Sequence, residues 1–233
     1  MAKKLLELCR EGETSKDVYS RVVRPLTEEE LLTKKGKLAE VKGYRATYKP
    51  VFNEVIQVKG VKISWAKRLP GVKGSKFEEI RRLAKAKKTQ SFALRVTQYF
   101  IGGEEEGQPA TGPLAEVLGL KNWKIQKIAK LGEKGADVIL VNEETGDYAI
   151  LEFKTHWEVE WLKNDLTRKE VFAEALNQLL KYCVKEMKER GRSTAKAFLV
   201  HLYVDVSKET EGEAIAVVFE LGKPTRQLKL FGE

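Results

Sequence analysis

The feature that most constrains this chain is a pair of apolar segments of strand length, residues 135–141 and 148–155. A short polar link joins them, and its sequence Glu-Glu-Thr-Gly at 143–146 is typical of a β-hairpin turn. Segments this apolar belong in the interior of a sheet, where a charged side chain needs a reason. Each segment nevertheless carries charge, and at one place only.

The hairpin register predicts that these charges meet. A four-residue link pairs Asn142 with Asp147, and counting back from that pair sets Asp137 opposite Glu152. Directly opposed residues have Cβ atoms about 5 Å apart. Lys154 shares a face with Glu152, because side chains alternate between the two faces of a strand. The sequence therefore predicts a carboxylate, carboxylate and lysine cluster.

Such a cluster suits phosphodiester hydrolysis. Two carboxylates this close repel each other unless they share a cation, and hard oxygen ligands favour Mg²⁺, for which Mn²⁺ can substitute. The ion would neutralise charge on a phosphate and activate a water, while Lys154 would orient that water. The alternative interpretation is a cross-strand salt bridge in which Lys154 balances both acids.

A long amphipathic helix is predicted after the second strand. Its apolar face is formed by Val171, Leu176, Leu179, Cys183 and Met187. Gln178 and Tyr182 are four residues apart and therefore lie together along one edge of that face. The alternative is that these two side chains lie at the boundary of the apolar face and only extend into water.

Asp137, the segment Glu152-Phe153-Lys154 and the Gln178-x-x-x-Tyr182 element together resemble the PD-(D/E)XK nuclease superfamily. The last element resembles its RecB-like exonuclease branch, and the resemblance covers about residues 111–206. It implies an α/β fold with a restriction-endonuclease-like core, in which a mixed central sheet is flanked by helices.

The resemblance also implies roles for these residues. Asp137 and Glu152 would bind the metal, with the backbone carbonyl of Phe153 as a further ligand. Gln178 and Tyr182 would contact the DNA or the scissile phosphate, completing a catalytic set with Lys154. A further acidic ligand is expected on the helix that opens at Pro113. Glu116 is the first candidate for it, and Glu78 and Glu79 are alternatives.

Charge is distributed unevenly along the chain. Residues 1–100 hold 24 Lys and Arg against 11 Asp and Glu, whereas residues 101–233 hold 19 against 23. This asymmetry favours a polyanionic partner, namely single-stranded, double-stranded or branched DNA, over a merely solvated lysine-rich surface. The predicted nucleic-acid contacts are Arg81, Arg82, Lys85, Lys87, Lys88 and, by stacking on unpaired bases, Trp157. The alternative for Trp157 is packing of its segment onto the core.

A stretch rich in Gly and Glu at 103–112 predicts a linker. It would separate a basic N-terminal α+β region (1–102), which binds nucleic acid, from a nuclease domain (113–233). Residues 1–40 are expected to be helical and 43–68 extended. From Pro113 onward the expected order is α-β-β-β-α-β-β.

Other features narrow the setting. No apolar run is long enough to span a membrane and no signal peptide is evident, so a cytoplasmic protein is expected. The two cysteines predict neither a disulfide nor a zinc site, and the composition weakly suggests a thermophile. The tail at 227–231 faintly resembles a sliding-clamp docking motif, and a homodimer is left open.

The function predicted from the sequence is a Mg²⁺-dependent DNA nuclease that is exonuclease-like, or selective for single strands or branched structures, in DNA repair or processing. One alternative is a site-specific, restriction-type endonuclease. The other is a non-catalytic DNA-binding or adaptor protein.

Overall fold

A computed structural model describes residues 48–52, 54–58, 61–63, 65–131, 135–190 and 196–221. The expected helices of residues 1–40 and the tail at 227–231 lie outside the described residues. The elements in chain order are β1 (Tyr48–Pro50), β2 (Ile56–Val58), β3 (Val61–Ile63), β4 (Ala66–Lys73), α1 (Gly74–Lys85), α2 (Thr89–Ile101), α3 (Pro113–Val117), β5 (Lys124–Ile128), β6 (Val138–Val141), β7 (Tyr148–His156), α4 (Val159–Thr167), α5 (Lys169–Arg190), β8 (Lys196–Val204) and β9 (Glu211–Leu221).

Seven of these strands form one mixed sheet in the order β1-β9-β8-β7-β6-β5, and β4 also pairs with β9. β1 and β4 share the outer edge of β9, because β1 pairs with residues 219–221 and β4 with residues 211–217. Strands β7 and β8 are parallel, and the other pairings in this sheet are antiparallel. The parallel pair needs a long crossover, which α4 and α5 provide.

Helices cover both faces of this sheet. On one face the core includes Phe77 of α1, Phe92 of α2 and Leu114 of α3. On the opposite face it includes Leu162 of α4 and Leu176 of α5. Covering both faces is what lets the central strands be apolar on both sides. The predicted α/β class, with a mixed sheet flanked by helices, is confirmed.

The hairpin between β6 and β7 follows the predicted register. Val138 pairs with Leu151 and Val141 with Tyr148, and the Asn142 N–H donates to the Asp147 carbonyl over 2.8 Å. In the turn, the Asn142 side-chain oxygen accepts the backbone N–H of Glu144 over 2.9 Å. A short asparagine side chain that mimics the backbone in this way stabilises a tight turn.

The order α-β-β-β-α-β-β predicted after Pro113 is also confirmed, with the long helical segment divided into α4 and α5. The segment 103–112, however, does not separate two cores. Strands β1 and β4 precede this segment and pair with β9, which follows it, and Phe92 of α2 packs in the same cluster as Leu151 of β7. The predicted linker therefore lies within one packed unit of the described residues.

Among the described residues, none of the helices combines the length and the apolar character that crossing a membrane requires.

Candidate active site

Strand β7 carries the polar residues that the hairpin brings together. Its residues Ala149, Leu151 and Phe153 belong to the core on the side of helices α1 to α3. The alternate positions after Ile150 face α4 and α5, and they hold Glu152, Lys154 and His156. The register of the hairpin, extended by one pair beyond Val138 and Leu151, sets Asp137 opposite Glu152.

Hydrogen bonds hold these groups in one cluster. The backbone N–H of Phe153 donates to Asp137 Oδ2 over 2.7 Å. Lys154 Nζ donates to Glu152 Oε1 over 3.1 Å and to Gln178 Oε1 of α5 over 2.8 Å. The Glu152 side chain is 6% exposed, and its Oε2 atom is buried without a hydrogen-bond partner in the described structure.

The second residue of the α5 pair joins the same cluster. Tyr182 takes part in a backbone hydrogen bond with Gly135, just before β6. Burial raises the pKa of the Tyr182 phenol, and the nearby carboxylates of Glu152 and Asp137 raise it further. The helix therefore brings Gln178 to the lysine and Tyr182 to the two acids, as their i, i+4 spacing allows.

Both carboxyl groups resist ionisation. Burial raises the pKa of Glu152 to about 7, the negative charge of Asp137 raises it as well, and the ammonium of Lys154 opposes both effects. Burial likewise raises the pKa of Asp137, against the Phe153 N–H bond and the charge of Lys154. A buried and a half-buried acid, with the ammonium groups of Lys154 and Lys127 nearby, form an arrangement that could hold a divalent cation.

A cleft of about 330 Å³ opens next to Asp137 and Phe153. Its other walls are the first half of α2 and residues 128–131, which follow β5. The α2 residues that line it are Gln90, Ala93, Leu94 and Thr97. One end of the acidic pair is therefore accessible from outside the protein.

The predicted nucleic-acid contacts on α1 and the turn after it lie close to this cleft in the chain. Lys88 directly precedes α2, and Gln90, two residues later, lines the cleft. The side chains of Arg82, Lys85, Lys87 and Lys88 are exposed or partly exposed, and that of Arg81 is half-buried.

The position of Trp157 does not favour the predicted stacking on bases. Its side chain is 8% exposed, and it packs edge-on against Phe92 and Trp161 with ring centroids 4.6 Å from each. A ring enclosed in this way has no free face for a base. The sequence leaves open both stacking on bases and packing of this segment onto the core, and the contacts of Trp157 agree with the second.

The prediction of Glu116 as a metal ligand is also not supported by its position. Glu116 lies on α3 and is not among the residues that line the cleft beside Asp137. Its carboxylate is 63% exposed and pairs with Lys121 over 3.4 Å. Of the two alternatives, Glu79 pairs with Arg95 over 2.9 Å, and Glu78 is exposed.

A second polar cluster was not predicted. His156, Asp165 and His201 place one ligand atom each within 4.8 Å of one another. The sequence indicates only that His156 continues the face of Lys154. The two histidines meet because β8 pairs with β7 in parallel and carries the only other histidine of the chain. Burial lowers the pKa of His156 to about 3 and also lowers the pKa of His201.

Comparisons of this chain with known protein families, with curated proteins and with solved structures found no match.

Proposed function

We propose that the protein is a metal-dependent nuclease that hydrolyses phosphodiester bonds of DNA at the cluster of Asp137, Glu152 and Lys154. The observation that carries this proposal is the pairing of a buried and a half-buried carboxyl group across the hairpin, with a lysine on the same face. A buried acidic pair with raised pKa values costs stability, so its retention beside a cleft favours a chemical role over a structural one. The arrangement also agrees with a restriction-endonuclease-like core.

The residues of the cluster fit a divalent cation. Glu152 Oε2 is buried without a hydrogen-bond partner among the described residues and is therefore available as a ligand. The Phe153 N–H points toward Asp137, and in an antiparallel ladder the carbonyl of a residue points to the same neighbouring strand as its N–H. Asp137, Glu152 and this carbonyl offer only oxygen ligands, which suit Mg²⁺ or Mn²⁺. A bound Mg²⁺ would neutralise charge on the scissile phosphate and make water nucleophilic at neutral pH.

The other residues would position the reactants. The Lys154 ammonium would face the phosphate and counter the charge that develops as a water oxygen attacks phosphorus and the P–O bond to the leaving oxygen breaks. Gln178 would hold Lys154 in place through its 2.8 Å hydrogen bond. The Tyr182 hydroxyl, beside the acids, would donate a hydrogen bond to a phosphate oxygen.

The basic segment 81–88 would supply affinity for the nucleic-acid backbone. Its exposed cations adjoin α2, whose first half lines the cleft beside Asp137. Contacts to phosphate position a duplex or a single strand without reading its sequence. This arrangement favours a nuclease that selects DNA structure rather than sequence, although a restriction-type enzyme would use the same core.

The decisive experiment measures cleavage of labelled single- and double-stranded DNA in Mg²⁺ or Mn²⁺. Glu152→Gln keeps the side-chain shape but removes its charge, and we expect cleavage to fall about 10²- to 10³-fold, the range seen for loss of a key electrostatic group. The matched control is Glu143→Gln in the hairpin turn, where the carboxylate is 60% exposed and pairs with Lys124. That variant should cleave normally.

Cleavage that survives Glu152→Gln, or that persists in excess EDTA, would contradict the assignment. DNA binding without any cleavage by the unsubstituted protein would instead favour the non-catalytic alternative. A circular duplex separates the remaining possibilities, because an exonuclease needs an end whereas an endonuclease linearises the circle. Branched DNA and matched RNA substrates then define the preferred substrate.

A further inference from the structure

The second polar cluster lies beyond the proposed active site, on the same face of the sheet. His156 and His201 come from the parallel neighbours β7 and β8, and Asp165 comes from α4, which packs over them. The chain contains two histidines in all, and the fold stacks their rings with centroids 5.7 Å apart and planes 8° from parallel.

Both imidazoles lack hydrogen bonds that their burial would ordinarily require. The His201 side chain is fully buried, and neither of its ring nitrogens has a hydrogen-bond partner in the described structure. His156 is 3% exposed, and its Nε2 atom also lacks a partner there. Buried polar groups are nearly always paired, so unpaired nitrogens on two adjacent rings indicate a missing ligand.

Asp165 completes a set of donors but makes no hydrogen bond with the nearest ring. Its Oδ2 atom lies 3.8 Å from His156 Nε2, which is too long for a hydrogen bond. Asp165 Oδ2 and His156 Nε2 therefore face each other without a direct hydrogen bond.

We propose that His156, Asp165 and His201 bind a transition-metal ion of the Zn²⁺ class, separate from the carboxylate pair. Imidazole nitrogen suits Zn²⁺ and related ions, whereas Mg²⁺ prefers oxygen. Tetrahedral coordination with bonds of about 2.0–2.2 Å sets ligand atoms about 3.3–3.5 Å apart. Asp165 Oδ2 and His156 Nε2, which are 3.8 Å apart, are close to this spacing. All three ligand atoms lie within 4.8 Å of one another, so a shift of about 1.5 Å at most would bring them to the tetrahedral spacing.

The site has a route for the ion and a structural consequence. The Asp165 side chain is 26% exposed, so the metal can enter from the side of α4, and water can occupy the fourth position. The bound ion would tie α4 to β7 and β8. Because β7 also carries Glu152 and Lys154, it would stiffen the strand that supports the proposed active site.

The test uses the full chain with Glu152→Gln, which removes one donor of the acidic pair, so that metal bound there does not obscure the result. The protein is stripped with chelator, exchanged into buffer and titrated with Zn²⁺, and bound zinc is measured after gel filtration. We expect about one tightly bound Zn²⁺ per chain, a raised thermal midpoint and no displacement by millimolar Mg²⁺. Co²⁺ in place of zinc should give the visible absorption of a tetrahedral site.

Asp165→Asn in this background should weaken zinc binding at least about tenfold, the scale seen when a supporting group at a metal site is lost. The matched control is Glu160→Gln on the same helix, whose carboxylate is 68% exposed and pairs with Lys163. It should bind zinc unchanged. Equal zinc affinity in the Asp165→Asn and Glu160→Gln variants would overturn the proposal. So would the absence of tetrahedral Co²⁺ absorption in the protein that retains Asp165. The zinc readout does not depend on nuclease activity, so the two proposals can fail independently.

Discussion

The cluster of Asp137, Glu152 and Lys154 and the basic segment 81–88 carry charge in contrasting ways. In the cluster, Glu152 is 6% exposed and shares a lysine with Gln178 through hydrogen bonds of 3.1 and 2.8 Å. In the segment, Lys85, Lys87 and Lys88 are exposed to solvent. One region removes its charges from water and fixes their geometry, whereas the other leaves them hydrated.

This difference separates chemistry from affinity. Burial raises the pKa of Glu152 to about 7. A group in a fixed position with a pKa near neutral pH can act on a substrate. Exposed cations act mainly through the field that they project, which salt screens. Substitutions in the cluster should therefore change the rate of cleavage, and those in the segment should change binding.

The largest effect is expected from Lys154→Met, which keeps most of the side-chain length but removes the ammonium. We expect the cleavage rate to fall about 10³-fold with DNA binding nearly unchanged, because the lost interaction is strongest in the transition state. Single-turnover cleavage measures the rate, and a separate binding titration measures the affinity for DNA. Lys121→Met is the control, since Lys121 is 51% exposed and pairs with the exposed Glu116. A variant that lost affinity but kept its rate would break the comparison.

The next effect concerns stability of the metal-free protein. The folded-state pKa of Glu152 is raised above its usual value of 4.5 to about 7, so the folded state holds a proton that the unfolded state releases. The free energy of unfolding should therefore fall as pH rises from about 4.5 to about 7, by up to about 3 kcal/mol. Denaturant unfolding at several pH values in EDTA measures this.

Glu152→Gln should flatten that slope, because the substituted side chain cannot titrate. Saturating Mn²⁺ should also reverse the loss in the unsubstituted protein, since a cation favours the ionised carboxylates. A slope that is the same in both proteins would mean that Glu152 does not ionise in this range, and the contrast with the basic segment would weaken.

The smallest effect is expected from the double change Lys85→Gln and Lys88→Gln. Affinity for DNA should fall about three- to tenfold at low salt, and the slope of log affinity against log salt should decrease by about 2. The cleavage rate at saturating DNA should not change. Lys121→Gln with Lys208→Gln removes the same charge from two exposed sites elsewhere and serves as the control. Equal losses in the two double variants would show that only net charge matters.

Much of the site follows from short-range rules, and these parts were predicted from the sequence. The link at 143–146 determines which residues of the hairpin face each other, so the opposition of Asp137 and Glu152 required only its length and the alternation of a strand. The apolar segment at 148–155 lies within the observed strand β7, Tyr148–His156. Gln178 reaches Lys154 because helix periodicity places it on the buried side of α5.

The parts that were missed depend on contacts between distant segments. Nothing near Trp157 in the chain indicates that Phe92 of α2 will cover its ring. The position of Glu116 depends on which face of the sheet α3 packs against. The meeting of His156 with His201 requires β8 to lie in parallel beside β7, a pairing that no local pattern determines.

The pairing of β4 with β9 has a consequence for how the protein is made. Ala66 pairs with Val217 and Lys73 with Glu211, so among the described residues β4 has no strand partner in the sheet until the ribosome has translated the distant strand β9. Closing so long a loop is slow, and during synthesis the open edge of β4 is available to other chains. We therefore expect the nascent protein to acquire its final strand arrangement late, with any cutting of nucleic acid delayed until after β9 has emerged.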